Sequence, residues 1–450
     1  MTVRAARAED GHGNAAGPTG RAHEPKTLPG RSVPPNLVPL LTSLGLLGMG
    51  STLVASLIGI EMSQRGFPGW TLGLIAAGFA IGGILGANIV PKVIGRVGHI
   101  HTFSALAALL ACVVLGHVLT AIPVVWIVQR LLTGIFYYGL ILIAESWLNG
   151  LADDHSRGRL LSSYMVIFLG SGAVGQLLLN LAPALGTDLF VVAGMILVLC
   201  VVPISLLGHS APSGKSHDPV PISRLVREKP LLLVGAFCGG VVVGTYFALG
   251  AVYAEQQGLS AAAISVFLAA VIIGALALLW PIGRLSDRFP RKYVISAAAI
   301  VTTASAAGVL LADQPLPLTA SAFVFGGAGF SLYSLNLAHA GDGVPPAQMV
   351  GLSRSFLTVF AFGSAAGPLA AGSLIGHVGV QIIFLLPAAA GAVLTVTSLF
   401  STMVPRVAKR VFVLVPMASH AASSLDPRKT SHHPNVPEQQ RQNHREHKKL

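Results

Sequence analysis

The chain has 450 residues, of which 53% are apolar and only 10% are charged, and its mean hydropathy is +0.72. In a water-soluble protein roughly a quarter of all residues are charged. This composition therefore excludes an ordinary soluble domain and indicates a protein that faces lipid. The net charge of +12 comes mostly from basic residues outside the apolar segments, and the cysteines, all inside such segments, favour neither disulfides nor a metal site.

Twelve apolar segments follow one another along the chain, each long enough to cross a bilayer as a helix, which takes about 20 apolar residues. A helix satisfies its own backbone hydrogen bonds, as lipid requires. We therefore predict an all-α integral membrane protein with twelve transmembrane helices. The predicted spans are 37–61, 70–94, 101–121, 123–147, 160–183, 187–208, 231–253, 261–282, 292–312, 317–339, 351–376 and 380–404.

The two ends of the chain differ in composition from the spans. Residues 1–36 are rich in Gly, Ala, Pro and Arg, and residues 405–450 are polar and basic, with almost no apolar periodicity. Such segments bury too little apolar surface to fold, so both are predicted to be disordered tails.

The distribution of Lys and Arg predicts how the spans are oriented. With the N-terminus in the cytoplasm, 26 of the 29 Lys and Arg residues fall on the cytoplasmic side. Membrane proteins carry this excess in their cytoplasmic loops, so both termini are predicted to be cytoplasmic. We expect the basic loops to lie against anionic lipids and not to bind nucleic acid.

The longest internal loop, 209–230, is polar, Pro-rich and basic, and it separates six spans from six spans. We predict a cytoplasmic linker there, between one bundle at 37–208 and another at 231–404. The loop contains GHSAPSGKS, which looks like a phosphate-binding loop, but it has one residue too many before Gly-Lys-Ser and no strand precedes it. An ATP-driven pump is therefore not predicted.

An internal repeat appears when the chain is shifted by 192 residues. Loop and span residues match at this one ungapped offset, which predicts two six-span halves in the same orientation. Transporters built from such halves bind substrate near the midplane, between the halves, and rock one half against the other. The matched pairs include Gly66 with Gly258, Gly82 with Gly274, Arg96 with Arg288, Gly134 with Gly326 and Gly175 with Gly367.

The loop between the eighth and ninth spans, WPIGRLSDRFPRK at 280–292, concentrates charge between apolar segments. A carboxylate at a helix end can pair with a cation or a helix N-terminus in one conformation and release it in another. The basic residues could also serve only to fix the orientation of the spans, but this role does not require Asp287. The candidate gating residues of this loop are Gly283, Asp287, Arg288, Arg291 and Lys292.

This loop resembles the signature of the major facilitator superfamily, and the resemblance extends over the twelve spans, the central loop and the two halves. It implies two pseudo-symmetric six-helix bundles, alternating access by a rocker switch, and a loop that latches the outward-facing state. The segments IAESWLN, RGRLLSSYM and GAGFSLY are similar to an uncharacterised bacterial subfamily of these transporters, which implies the bacterial cytoplasmic (inner) membrane.

The equivalent loop of the first half, PKVIGRVGHI at 91–100, departs from the superfamily pattern. Pro91 and Gly95 stand where the pattern has Gly and Asp, and Arg96 is retained. Arg96 is therefore included among the gating candidates, but a symmetric gate is not predicted.

The fourth span carries two charged residues. Arg130 lies inside the apolar segment, where a charge costs several kcal/mol unless it is paired or hydrated. With Gly134 it is similar to a second superfamily motif, associated with proton transfer or substrate contact; the alternative is an arginine that reaches the outer interface. Glu145 lies about 22 Å farther along the helix and either accepts a proton or binds the arginines at 157–159.

Further polar residues inside spans are candidates to line a central pathway, because polar groups that face lipid are costly. Hydrogen bonding between helices is the alternative. The scarcity of charges favours a neutral or amphiphilic solute, and Arg130 would permit an anion. These further candidates are Tyr138, Gln176, Tyr246, Tyr333 and Asn336.

Together the residues and the resemblance predict a secondary active transporter of a small organic solute, acting as a monomer without cofactor or metal. Proton coupling would have to use Glu145 or His117, because the first span has no carboxylate in its middle. The alternative is a transporter-fold membrane sensor without net flux. Neither HExxH nor GxSxG occurs in the sequence, so no enzyme is predicted.

Overall fold

The computed structural model describes residues 37–151, 157–183, 186–206, 230–342 and 346–400. The predicted tails at 1–36 and 405–450, and the predicted linker up to residue 229, lie outside these ranges. The long helices are α1 Leu37–Gln64, α2 Gly69–Val97, α3 His99–Gly116, α4 Pro123–Leu151, α5 Arg157–Leu177, α6 Asp188–Leu199, α7 Pro230–Gln256, α8 Ala261–Arg288, α9 Arg291–Leu311, α10 Pro315–Ala340, α11 Pro346–Val378 and α12 Ile382–Phe400.

Within the described ranges, twelve helices are long and apolar enough to cross a membrane, the sixth being α6 together with the short helix Val201–Ser205 that follows it. This agrees with the predicted number. Some bounds differ by several residues; α3, for example, ends at Gly116 although the predicted span reached residue 121. The chain turns at His117, whose N–H bonds to the carbonyl of Val114. Apolar residues continue through this turn, so hydropathy alone extended the span.

The glycines of the internal repeat make the same packing contacts in both halves. A Cβ on Gly134 would collide with the carbonyl of Phe79, and a Cβ on Gly326 would collide with the carbonyl of Val271. Phe79 and Val271 are themselves 192 residues apart. The crossing of α2 with α4 is thus repeated by α8 with α10, and in both crossings glycine lets two backbones touch.

These crossings predict a strong effect of one methyl group. Gly326→Ala is expected to destabilise the protein by about 1–3 kcal/mol, because the backbone of Val271 cannot move aside for a Cβ. Gly170→Ala is the matched control, since a Cβ there meets nothing within 4 Å. Thermal unfolding of the purified variants checks the prediction, and equal midpoints for the two would contradict it.

The two six-helix bundles, α1–α6 and α7–α12, meet where α1 packs on α7, α2 on α11 and α5 on α8. The closest approach is at Gly372 of α11, where a Cβ would collide with the backbone of Gly69 and Gly73 of α2. Ala77 and Ala80 of α2 continue this contact toward Ala365 and Leu369 of α11.

Polar side chains join the bundles at the same end of the molecule. Ser63 Oγ donates a hydrogen bond to Glu255 at 2.6 Å, and Gln256 Nε2 donates one to Ser63 Oγ at 3.1 Å. Asn180 Nδ2 donates to Ser265 Oγ at 2.7 Å. We call the end of the molecule defined by these bonds and by Gly69 and Gly372 the closed end.

Candidate functional site

A cavity of about 150 Å³ lies between the two bundles. Helices α1 to α6 form one part of its wall, and α7, α8 and α11 form the other. Because both bundles contribute, a rotation of one bundle against the other would reshape the cavity. The aromatic side chains that line it are Phe79, Tyr137, Tyr138, Tyr164, Phe168, Phe247 and Phe360.

Arg130 lines this cavity from α4 and is only 6% exposed. Its guanidinium carbon lies 4.5 Å from the centre of the Phe79 ring, a distance at which a cation is attracted to the ring face. Its Nε is buried without a hydrogen-bond partner, and no ion pair with a carboxylate forms to it in the described part of the chain. The side chain therefore places a buried positive charge at the cavity wall.

An aromatic cluster holds this side of the cavity. The rings of Tyr137 and Tyr138 lie 5.4 Å apart, and each lies 5.5 Å from the ring of Phe79. Such edge-to-face and tilted pairs are favourable geometries for aromatic side chains. Tyr138, a residue predicted from sequence, thus lines the cavity in the same cluster that contacts Arg130.

Glu145 is 1% exposed and is not part of the cavity wall. The hydroxyl groups of Tyr137, Tyr164 and Tyr333 lie near its carboxylate. Tyr137 and Tyr164 also line the cavity, so they connect the carboxylate to it. The side chains at 157–159, the other partners considered for Glu145, lie outside the described side chains.

The four remaining candidates lie away from the cavity wall, in contacts between helices. Ser56 donates to the side-chain oxygen of Gln176 at 2.8 Å, which ties α1 to α5. Tyr246 donates to the carbonyl of Leu268 at 2.7 Å, which ties α7 to α8.

Asn336 donates to the carbonyl of Leu332 in its own helix at 2.8 Å, and its amide packs against Gly235 of α7. The Tyr333 ring packs on Phe356 and Phe360, with centroid distances of 5.2 and 4.9 Å. Tyr333 is therefore one contact away from the cavity, because Phe360 lines it.

The gating candidates gather at the end of the molecule opposite the closed end. Arg291 Nε lies 3.5 Å from a carboxylate oxygen of Asp342, and its terminal nitrogen lies 4.0 Å from Asp287. This charge cluster joins the end of α8, the start of α9 and the residues after α10. Arg96 and Arg288 are exposed, Gly283 is buried, and the Lys292 ammonium lies 5.1 Å from the ring centre of Tyr293.

A family model described as Major Facilitator Superfamily matches residues 40–352 and, in a second match, residues 258–420. The chain belongs to the major facilitator superfamily. Among its relatives is the "Uncharacterized MFS-type transporter YcaD" of Salmonella paratyphi B, 27% identical over 354 residues, which cover 77% of this chain and 91% of that protein. A relative from Enterobacter sp. with the same kind of name is 27% identical over 357 residues, with the same coverage of 77% and 91%.

Solved structures of the superfamily have the same fold. The nucleoside transporter NupG superposes with a TM-score of 0.68 at 15% identity, over 81% of this chain and 98% of that one. A D-xylose-proton symporter superposes with a TM-score of 0.62 at 16% identity, over 82% and 98%. The predicted architecture of two pseudo-symmetric six-helix bundles is confirmed, and the protein is an integral membrane protein.

Sequence reasoning missed most of the wall of this cavity. Phe79, Phe247 and Phe360 are apolar residues within apolar spans, so their sequence signal is the same whether they face lipid or the cavity. The contact of Ser63 with Glu255 had a usable signal, because these residues are 192 apart. Equivalent residues of the first helix in each half approach the pseudo-symmetry axis and can meet there.

Proposed function

We propose that the protein is a secondary active transporter that moves a small organic solute across the bacterial inner membrane by rocker-switch alternating access. The observation that supports this most is the cavity whose wall belongs to both bundles. A solute bound there would be released to the opposite side when the bundles rotate. The wall is mostly apolar and aromatic, which suits an organic solute.

The orientation predicted from Lys and Arg indicates which conformational state of the transport cycle this structure represents. With both termini in the cytoplasm, the closed end faces outward, and the conformation is inward-facing. In the outward-facing state of the cycle, the contacts of Gly372 with Gly69 and Gly73 would open. The charge cluster around Arg291 would then hold the ends of α8, α9 and α10 together at the cytoplasmic end.

Among the site residues, we propose that Arg130 and Tyr138 contact the solute. Glu145 is proposed to carry the coupling proton, because it is a buried carboxylate connected to the cavity by tyrosines. Proton symport is named for a solved structure with this fold, which makes coupling a reasonable part of the proposal. Gln176, Tyr246, Tyr333 and Asn336 are proposed to fix the helices that form the pathway.

The proposal is tested by comparing small molecules inside and outside cells that overproduce the protein. A solute whose distribution changes with the wild type is expected to keep its control distribution with Arg130→Ala at equal protein abundance. Its flux should fall at least about tenfold, because a charge-assisted contact is lost. A solute that copurifies in stoichiometric amount but is never redistributed would instead indicate the sensor.

A further inference from the structure

The cavity wall holds a positive charge, that of Arg130, which has no negative partner among the described residues. Arg130 is 6% exposed, and no carboxylate of the described residues pairs with it. Removal of a single charge from water is costly, and a buried charge is tolerated best when an opposite charge satisfies it. The missing negative charge is therefore expected on the molecule that fills the cavity.

The described surroundings of Arg130 do not satisfy all of its N–H groups. The Phe79 ring occupies one side of the guanidinium, whereas the N–H groups point outward in the guanidinium plane. Its Nε has no protein partner. A planar guanidinium edge binds a carboxylate or a phosphate through two parallel hydrogen bonds. A carboxylate is the smaller group and carries the single negative charge that one arginine balances.

The rest of the cavity favours a ligand with an aromatic ring. Among the described residues of the wall, Arg130 is the charged one. Aromatic rings come from both bundles, among them Tyr138 and Phe168 from one and Phe247 and Phe360 from the other. The volume of about 150 Å³ is comparable to that of cavities that take up one benzene molecule. Glu145 lies fifteen residues from Arg130, about 22 Å along α4, and is not part of the cavity wall.

We propose that the solute is a small aromatic monocarboxylate, held by its carboxylate on Arg130 and by its ring between the aromatic side chains of the two bundles. That this solute is transported rests on the proposed function. That it binds in the cavity does not, so the two can fail separately.

Binding is measured by titration of the purified full-length protein with benzoate and phenylacetate, each compared with its neutral amide of the same shape. Acetate is the control without a ring. Both aromatic acids are expected to bind at least about tenfold more tightly than their amides and than acetate, the difference that one charge-assisted hydrogen bond gives. This comparison within the wild type does not depend on any variant being folded.

Arg130→Gln is expected to weaken both acids by roughly tenfold to a hundredfold and to change the affinity for the amides little. Arg284→Gln removes the same charge at an exposed position, where the guanidinium lies on the Trp280 ring, and should leave all affinities unchanged. Amides that bind the wild type as tightly as the acids, or acids that bind Arg130→Gln as tightly as the wild type, would overturn the proposal. So would the failure of both acids to bind at millimolar concentration.

Proteoliposomes loaded with the same compounds separate this proposal from the proposed function. Binding of the acids that depends on Arg130, without counterflow of either acid, supports the ligand class and refutes transport. Counterflow of an amide without preference for its acid supports transport and refutes the ligand class.

Discussion

Gly372→Leu is expected to lower transport by roughly tenfold to a hundredfold while the protein remains folded in the membrane. At Gly372 even a Cβ would collide with the backbone of Gly69 and Gly73, which belong to the other bundle. Overpacking of this kind costs about 1–3 kcal/mol. Because the cost applies only while the closed end is closed, it shifts the conformational equilibrium by the stated factor.

The labelling rate of a cysteine in the cavity measures this shift in the conformational equilibrium. Ser51 lines the cavity, and Ser51→Cys can be labelled with a membrane-impermeant thiol reagent applied from outside, in a background in which the exposed Cys112 is replaced by Ala. We expect slow labelling with Gly372 intact and fast labelling with Gly372→Leu.

Gly376→Leu is the matched control, since it lies one turn away on α11 and a Cβ there meets nothing within 4 Å. It should transport and label as the parent protein does. Equal transport by both leucine variants would show that α2 and α11 do not separate during the cycle.

The fold was predictable because its signals are local. Twenty apolar residues in succession, Lys and Arg at one side, and glycines repeated at a fixed offset each follow from what lipid demands of a helix. The repeat was informative down to single contacts, since Gly134 and Gly326 face the equivalent carbonyls of Phe79 and Val271.

The site was predictable only where a residue type is costly in lipid. Arg130, which lines the cavity, could be singled out from sequence because a charge inside a span is costly unless it is paired or hydrated. Gln176 and Tyr246 gave the same polar signal as Tyr138, yet they bond to neighbouring helices and only Tyr138 lines the cavity. Whether a polar side chain bonds to a neighbouring helix or lines the cavity depends on how its helix is rotated about its axis. Sequence periodicity predicts this rotation poorly in helices that are apolar on all sides.

The two loops that the repeat makes equivalent have diverged. Gly95 of the first half corresponds to Asp287 of the second, so the carboxylate near Arg291 has no counterpart at that position of the first half. Asp342 adds a second carboxylate, placed just after α10. The gating device proposed here is therefore asymmetric, and it joins three helix ends of one bundle.

Arg291→Gln is expected to slow turnover about tenfold without preventing membrane insertion. The Arg291 side chain is 9% exposed and lies near both Asp287 and Asp342, so it is screened less than a surface ion pair. At 3.5 and 4.0 Å these are ion pairs, each contributing up to about 1 kcal/mol, so the loss of both corresponds to an effect of about tenfold. Without Arg291 the ends of α8, α9 and α10 are held together less firmly, and the bundle rotates less well as one body. Asp287→Asn should slow turnover in the same direction.

Turnover is measured in proteoliposomes with equal amounts of inserted protein, using whichever solute the wild type redistributes. Arg284→Gln is the control, because it removes one positive charge from α8 at an exposed position outside the cluster. Arg291→Lys should restore part of the rate, since it keeps the charge but loses the planar fork that can serve two carboxylates. If Arg291→Gln and Asp287→Asn both turn over like Arg284→Gln, the loop between α8 and α9 only fixes the orientation of the spans, and the gate must be sought in the contacts of the closed end.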